Sequence, residues 1–148
     1  MNEITDFMGK DHDRLDGTFK EFQNVKNHDL NQAKNLFSQL KSGLERHIVW
    51  EEEILFPIFE NRTGMHNGGP TFVMRMEHRQ IKDYLQKIHA AISASDTKTA
   101  ELESGLTAVL TAHNDKEENI LYPWIDKSAT EQEKQASLQR MKNPDAKD

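Results

Sequence analysis

Apolar residues recur along this chain every three or four positions, and strict alternation is nearly absent, so the pattern predicts helices and no sheet. The first helix runs from about Ile4 to Lys26, with Ile4, Met8, Asp11/His12, Leu15, Phe19 and Phe22 facing inward. The second starts after Asp29, an acid suited to capping, and carries Leu36, Leu40, Leu44, His47, Glu51 and Leu55. Pro57 is expected to bend or end it, since proline lacks an N–H and crowds the preceding turn. The segment "NRTGMHNGGPT", Asn61 to Thr71, breaks the pattern with three glycines and a proline. A third helix follows from about Thr71 to Ala94, striped by Met74, His78, Ile81, Leu85, Ile88 and Ile92. After "SASDTKT", a fourth carries Leu102, Leu106, Val109/Leu110, His113, Glu117 and Leu121 up to Pro123. A short polar helix is expected from about Thr130 to Met141, and "KNPDAKD" is expected to fray. Four long stripes joined by short breaks predict an all-α fold: one domain over 1–148, built as an up-down-up-down four-helix bundle with a short C-terminal helix.

The stripes repeat. "HIVWEEEILFPI" begins at His47 and "HNDKEENILYPW" at His113. His12 precedes His47 by 35 residues (47 − 12), and His78 precedes His113 by the same (113 − 78). A shift of 66 carries His12 onto His78 (78 − 12) and His47 onto His113 (113 − 47). The same shift carries Glu51 onto Glu117, Glu52 onto Glu118, Pro57 onto Pro123 and Asp11 onto Glu77. The chain therefore reads as two duplicated helical hairpins, about 4–61 and 70–126, with a polar extension over 127–148.

What repeats is chemistry within a core stripe. Residues four apart on an α-helix lie ~40° apart around the axis and ~6 Å along it, so His47 and Glu51 share a face, as do His113 and Glu117. That face is the apolar one. An ionised carboxylate there costs several kcal/mol unless a partner compensates it, and a cation does so. A single HxxxE is more often a solvated pair or a side-chain hydrogen bond than a metal site. Two at matched positions, each with a His on the preceding helix, gather His12, His47, Glu51, His78, His113 and Glu117 at one level of the bundle. Imidazole and carboxylate together suit zinc, iron, manganese or copper.

Neighbouring residues are read more plainly. Glu52 and Glu118 step ~100° off the inward face and suit salt bridges or support of a ligand. Asp11 and Glu77 suit hydrogen bonds to ring N–H groups of metal-bound histidines, with an inward Glu77 as an extra ligand the second option. His28, His66 and His89 read as exposed or boundary residues, and Trp50 and Trp124 as packing. Met74 and Ile81, one turn either side of His78, would keep an open coordination position dry.

Charge and composition narrow the partners. A net charge of −6 argues against nucleic acid and against a polybasic membrane anchor. No apolar run is long enough to span a bilayer, and the first residues lack the basic start and apolar centre of a secretory signal, so the expected location is cytoplasmic. The absence of cysteine excludes disulfides, thiolate metal sites, iron–sulfur clusters and thiol catalysis.

A bundle with His on helix one, HxxxE on helix two, His on helix three and HxxxE on helix four resembles the hemerythrin-like (HHE cation-binding) family, over about residues 5 to 125. The resemblance implies a non-haem centre of two iron ions (Fe2+/Fe3+) with an oxo or hydroxo bridge, ahead of zinc or manganese. It implies His12 and His47 on one iron, His78 and His113 on the other, and Glu51 and Glu117 as bridges. Oxygen-carrying members have HxxxH on the third helix and an Asp five residues after the fourth-helix His; here Met74 and Lys82 flank His78, and Glu117 stands at four. The match therefore lies nearer the symmetric HHE branch, which includes proteins of nitric oxide stress and iron–sulfur cluster repair, whose cysteine-bearing N-terminal region has no counterpart here. The expectation is a protein binding O2 or NO for sensing, storage or detoxification rather than an enzyme. An iron donor or store for cluster repair, and a peroxidase or nitric oxide reductase, are the alternatives.

Overall fold

A computed structural model of the chain describes residues 1–143; the expected fraying of the last residues falls, from 144 on, outside them. Among the described residues the chain is all-helical, with five continuous helices and no strand. Helix α1 is Glu3–Val25. α2 is Leu30–Val49, begun by Asp29, whose carboxylate accepts from the Gln32 N–H at 3.1 Å. It runs through a π-helical turn, Trp50–Leu55, into α3, Phe56–Thr63. α4 is Pro70–Ser93. α5 is Ala100–Lys116, running through a second π-helical turn, Glu117–Leu121, into α6, Tyr122–Ser128. α7, Glu131–Lys142, starts on a capping box between Thr130 and Glu133.

α1 packs on α2, α4 on α5 and α2 on α4, which gives the antiparallel bundle expected from the stripes. Within each hairpin the helices approach closely at a glycine. A Cβ on Gly43 would meet Leu15 at 2.6 Å, and one on Gly105 would meet the Tyr84 ring at 2.6 Å. Between the hairpins, Gly64 ends α3 in the left-handed conformation (φ 77°), where glycine carries no Cβ penalty.

The interior is three layers deep. One apolar cluster, with Phe22, Phe37, Leu40, Leu85, Ile88 and Leu106, fills the end where α1 and α4 finish. A second, with Met8, Leu55, Phe56, Phe59, Met74 and Tyr122, fills the other end. Leu138 and Met141 of α7 join it, so the helix read as a polar extension closes that end of the bundle. Between the clusters lies a layer of histidine and glutamate.

The 66-residue offset relates contacts as well as sequence. Asp126 of α6 accepts from the Ile4 and Thr5 backbone N–H groups at 3.0 and 2.9 Å and from the Thr5 hydroxyl at 2.6 Å, so it caps α1. Glu60 of α3, which lies 66 residues before Asp126 (126 − 60), accepts from the Thr71 hydroxyl at 2.8 Å at the start of α4. Each hairpin thus anchors the first turn of the other.

Proline does not end the second and fourth helices. In both, the turn widens first. The Phe56 N–H reaches back five residues to the Glu51 carbonyl, and the Tyr122 N–H reaches back five to Glu117. Pro57 and Pro123 then fall in the first turn of α3 and α6, where a missing N–H leaves few carbonyls without a partner.

Candidate metal centre

The structure brings all six expected residues together. His12 comes from α1, His47 from α2, His78 from α4, His113 from α5, and Glu51 and Glu117 from the second residue of one π-helical turn and the first of the other. All six are buried, and Glu51 and Glu117 are 0% exposed. His28 and His66 are exposed and His89 is half-buried, as their polar surroundings implied.

Each imidazole is held from outside by an acid. Asp11 accepts from His47 Nδ1 at 2.8 Å, and Glu77 from His113 Nδ1 at 2.8 Å. Glu118 accepts from His12 Nδ1 at 2.7 Å, and Glu52 from His78 Nδ1 at 2.6 Å. A carboxylate acceptor places the ring proton on Nδ1, which leaves the Nε2 lone pair for the interior and makes it a stronger donor. Asp11 and Glu77 therefore do what their position before a histidine suggested, and Glu77 faces outward to His113 and Lys116. The contacts of Glu118 with His12 and of Glu52 with His78 are compatible with both roles expected of these acids.

The four Nε2 atoms converge on the two glutamates. His12 Nε2 lies 3.1 Å from Glu117 Oε1, and His113 Nε2 3.2 Å from Glu117 Oε2. His78 Nε2 lies 2.9 Å from Glu51 Oε1, and His47 Nε2 3.8 Å from Glu51 Oε2. Donor atoms gather within 4.8 Å of one another in two groups: Glu51, His78, His113 and Glu117, and His12, His47 and Glu117. Glu117 belongs to both.

These residues fit a metal. Glu117 Oε2 is buried without a hydrogen-bond partner; His113 Nε2 is near enough in distance, yet no hydrogen bond forms between them. Buried polar atoms are rarely left so, and a cation is the partner that a lone pair among imidazole nitrogens lacks. The titration behaviour agrees. Burial pulls the His12 imidazole down, but the hydrogen bond and charge of Glu117, with Glu118 and Glu51, overcome it and raise the group to about 9. Burial likewise opposes His78, and Glu51, Glu52 and Glu117 raise it to about 9. Burial pushes Glu51 up, and the Glu117 charge adds to this. Burial would push Glu117 up too, but the polar hydrogens that Glu51 and His12 turn towards it and the nearby His113 charge hold it well below the usual range. The site attracts positive charge strongly, whether as protons or as metal.

Tyr122 is a site residue that the sequence reading missed. Its hydroxyl lies 2.6 Å from Glu51 Oε2, 3.0 Å from Glu117 Oε1, 3.1 Å from His47 Nε2 and 3.3 Å from His12 Nε2. Burial and the two glutamate charges push the phenol well above its ordinary value, so it stays protonated there. Five residues along an α-helix turn the side chain ~140° away, which would point Tyr122 elsewhere. The π-helical turn brings it onto the Glu117 side. Its counterpart is Phe56 (122 − 56 = 66), whose ring stacks on His78 at 5.8 Å between centroids. The available signal was Pro57 and Pro123 at one place in both repeats, which demands an adjusted turn before it.

A nitrogen-rich cluster of six donors, buried between two apolar layers of a four-helix bundle, defines a helical cation-binding protein. The chain belongs to the hemerythrin family: the model of the hemerythrin HHE cation-binding domain matches residues 3–125. Similar proteins include a hemerythrin-like protein of Schizosaccharomyces pombe, 30% identical over 134 residues, covering 90% of this chain and 64% of that one. The iron-sulfur cluster repair protein YtfE of Edwardsiella ictaluri is 33% identical over 100 residues, covering 62% of this chain and 45% of that protein. YtfE of Yersinia pseudotuberculosis is 31% identical over 96 residues, covering 58% and 43%. The chain thus spans less than two thirds of the length of these relatives. No solved structure matches it. No helix among the described residues is long and apolar enough to cross a membrane.

Proposed function

We propose that the protein holds two iron ions and binds a small diatomic ligand, O2 or NO, for sensing, storage or detoxification. The observation that carries this reading is the donor set: four inward imidazole nitrogens against two carboxylates, between apolar layers. His12 and His47 would hold one ion, His78 and His113 the other, and Glu51 and Glu117 would bridge them, with Glu117 shared by both donor groups. Iron held there supplies the electron change and an open coordination position for the ligand. Imidazole-rich ligation suits ferrous iron and moderates its oxidising power, which favours ligand binding over attack on an organic substrate. Met74 and Ile81, both buried beside His78, exclude water from that side. The outer acids fix each ring and its tautomer, so the donors stay aimed when the ligand leaves.

Metal analysis of the purified protein, followed by spectra of its ferrous form with O2 or NO, tests the reading. The expected result is two irons per chain and a stable adduct that reverses under vacuum. Rapid conversion of NO or peroxide to product would replace it with an enzymatic role. A second reading, iron donation to damaged clusters, has one observation in its favour: the similarity to the two iron-sulfur cluster repair proteins. Transfer of iron to an apo cluster protein faster than to solvent would support that role instead.

A further inference from the structure

The two hairpins pack tightly within themselves, but α1 and α5 leave a groove of about 850 Å³ between them. Asp16, Phe19, Leu110 and Asn114 line this groove and also line a small inner cavity behind it. The cavity is walled further by Leu15, Leu40 and Leu44 and ends on His12. Its volume of about 10 Å³ is about the least that holds one water-sized molecule. Five of its eight lining residues are apolar, with His12, Asp16 and Asn114 the polar ones, so most of its wall suits an uncharged guest.

We propose that an apolar diatomic ligand reaches the centre from the α1–α5 groove, passing between Asp16 and Phe19 of α1 and Leu110 and Asn114 of α5 into the Leu15–Leu40–Leu44 cavity beside His12. This rests on the diatomic-binding reading above. The 66-residue relation shows why the passage lies on one side. Asn114 corresponds to Ile48 (114 − 48), and Ile48 is 2% exposed within the apolar cluster between α2 and α4. Phe19 corresponds to Leu85 and Asp16 to Lys82, so neither the aromatic wall nor the acidic rim is repeated there. The acids of the groove, Asp13, Asp16, Asp115 and Glu118, would draw a cation to its mouth, but the apolar cavity behind them suits an uncharged guest.

Three measurements on the full chain test the passage. Crystals pressurised with xenon should show it among Leu15, Leu40, Leu44 and Leu110. Asn114→Ile, which copies Ile48, and Leu110→Phe, which fills the mouth, should each slow association of NO with the diferrous protein about tenfold. Iron content and adduct spectrum should stay unchanged. Unchanged association rates in both variants, with xenon displaced, would overturn the passage. Equal slowing of iron uptake and NO association would also overturn it, because the route would then be the metal's. If the wild type takes up xenon but forms no adduct with NO or O2, the functional reading fails while the cavity stands.

Discussion

The two hairpins share a frame and differ inside it. The frame consists of the histidines, the glutamates, the outer acids, the π-helical turns and the end latches, all related by one offset. Several interior positions differ. Tyr122 stands opposite Phe56, Asn114 opposite Ile48, and Glu103 opposite Phe37. At the far end of the bundle, Lys26 Nζ donates to Glu103 Oε2 at 2.6 Å, and Thr99 supports the pair. The related positions are Ile92 and Phe37, both in the apolar cluster. What repeats at that offset surrounds the centre from both halves, whereas what does not repeat sets the two sides apart in chemistry.

The largest break in that symmetry is expected at the glutamates themselves. Glu117 reaches both donor groups and Glu51 reaches one closely. Glu117→Ala should cost both metals, and Glu51→Ala at least the one held by His78 and His113. Elemental analysis of the two purified variants distinguishes the outcomes. Full metal content with unchanged spectra in either variant would remove the bridging assignment.

The ion pair at the far end gives the next effect. Glu103→Ala leaves the Lys26 charge buried, and loss of one partner of such a pair typically costs about 3–5 kcal/mol. The double variant Lys26→Ile with Glu103→Phe copies the apolar pair of the other half. It should recover that loss, since apolar replacement of buried pairs is often neutral or stabilising. Chemical denaturation with the metal content held fixed measures both. A single variant as stable as wild type would show that the pair is solvated.

Proton linkage should treat the first histidine of each half alike. His12 and His78 correspond to each other, and both are raised from 6.5 to about 9. Groups raised on folding stabilise the fold fully below pH 6.5 and lose that contribution as the pH rises through about 9. Protein stripped with a chelator should therefore lose stability over that window, while metal affinity should rise across it, because metal competes with protons for Nε2. A denaturation midpoint independent of pH in the stripped protein would contradict the charge balance described for the site.

Much of this is legible in the sequence. The stripes give the helices, because burial on one face of a helix must recur with its period. The six donors stand out because a polar residue in an apolar stripe is costly and here it recurs at one offset. Two features were hidden for physical reasons. Periodicity at 3.6 residues cannot register a single widened turn, so the continuation of the chain beyond Glu51 and Glu117 was hidden, and Pro57 did not end its helix. A phenol and a phenyl also read alike as apolar aromatics. The Glu60 and Asp126 latches obey the same offset, but their partners lie at the start of the other hairpin's helix, and only the fold brings those ends together.

The smallest expected effect is the most informative about the asymmetry. Tyr122→Phe makes the two halves alike at the centre, removing a hydroxyl that reaches Glu51, Glu117, His47 and His12. Loss of a buried partner to a carboxylate costs about 1–3 kcal/mol, and the phenyl ring keeps the packing that Phe56 has on the other side. Metal stoichiometry should stay the same, since the six donors remain. The hydroxyl sits beside the His12–His47 position and not beside His78–His113, so two irons held there should differ in their spectra in the wild type and converge in the variant. Mössbauer or optical spectra of the loaded proteins read this directly. Two equivalent irons in the wild type would mean that the phenol does not distinguish the sides, and that the pseudo-twofold frame alone sets the chemistry.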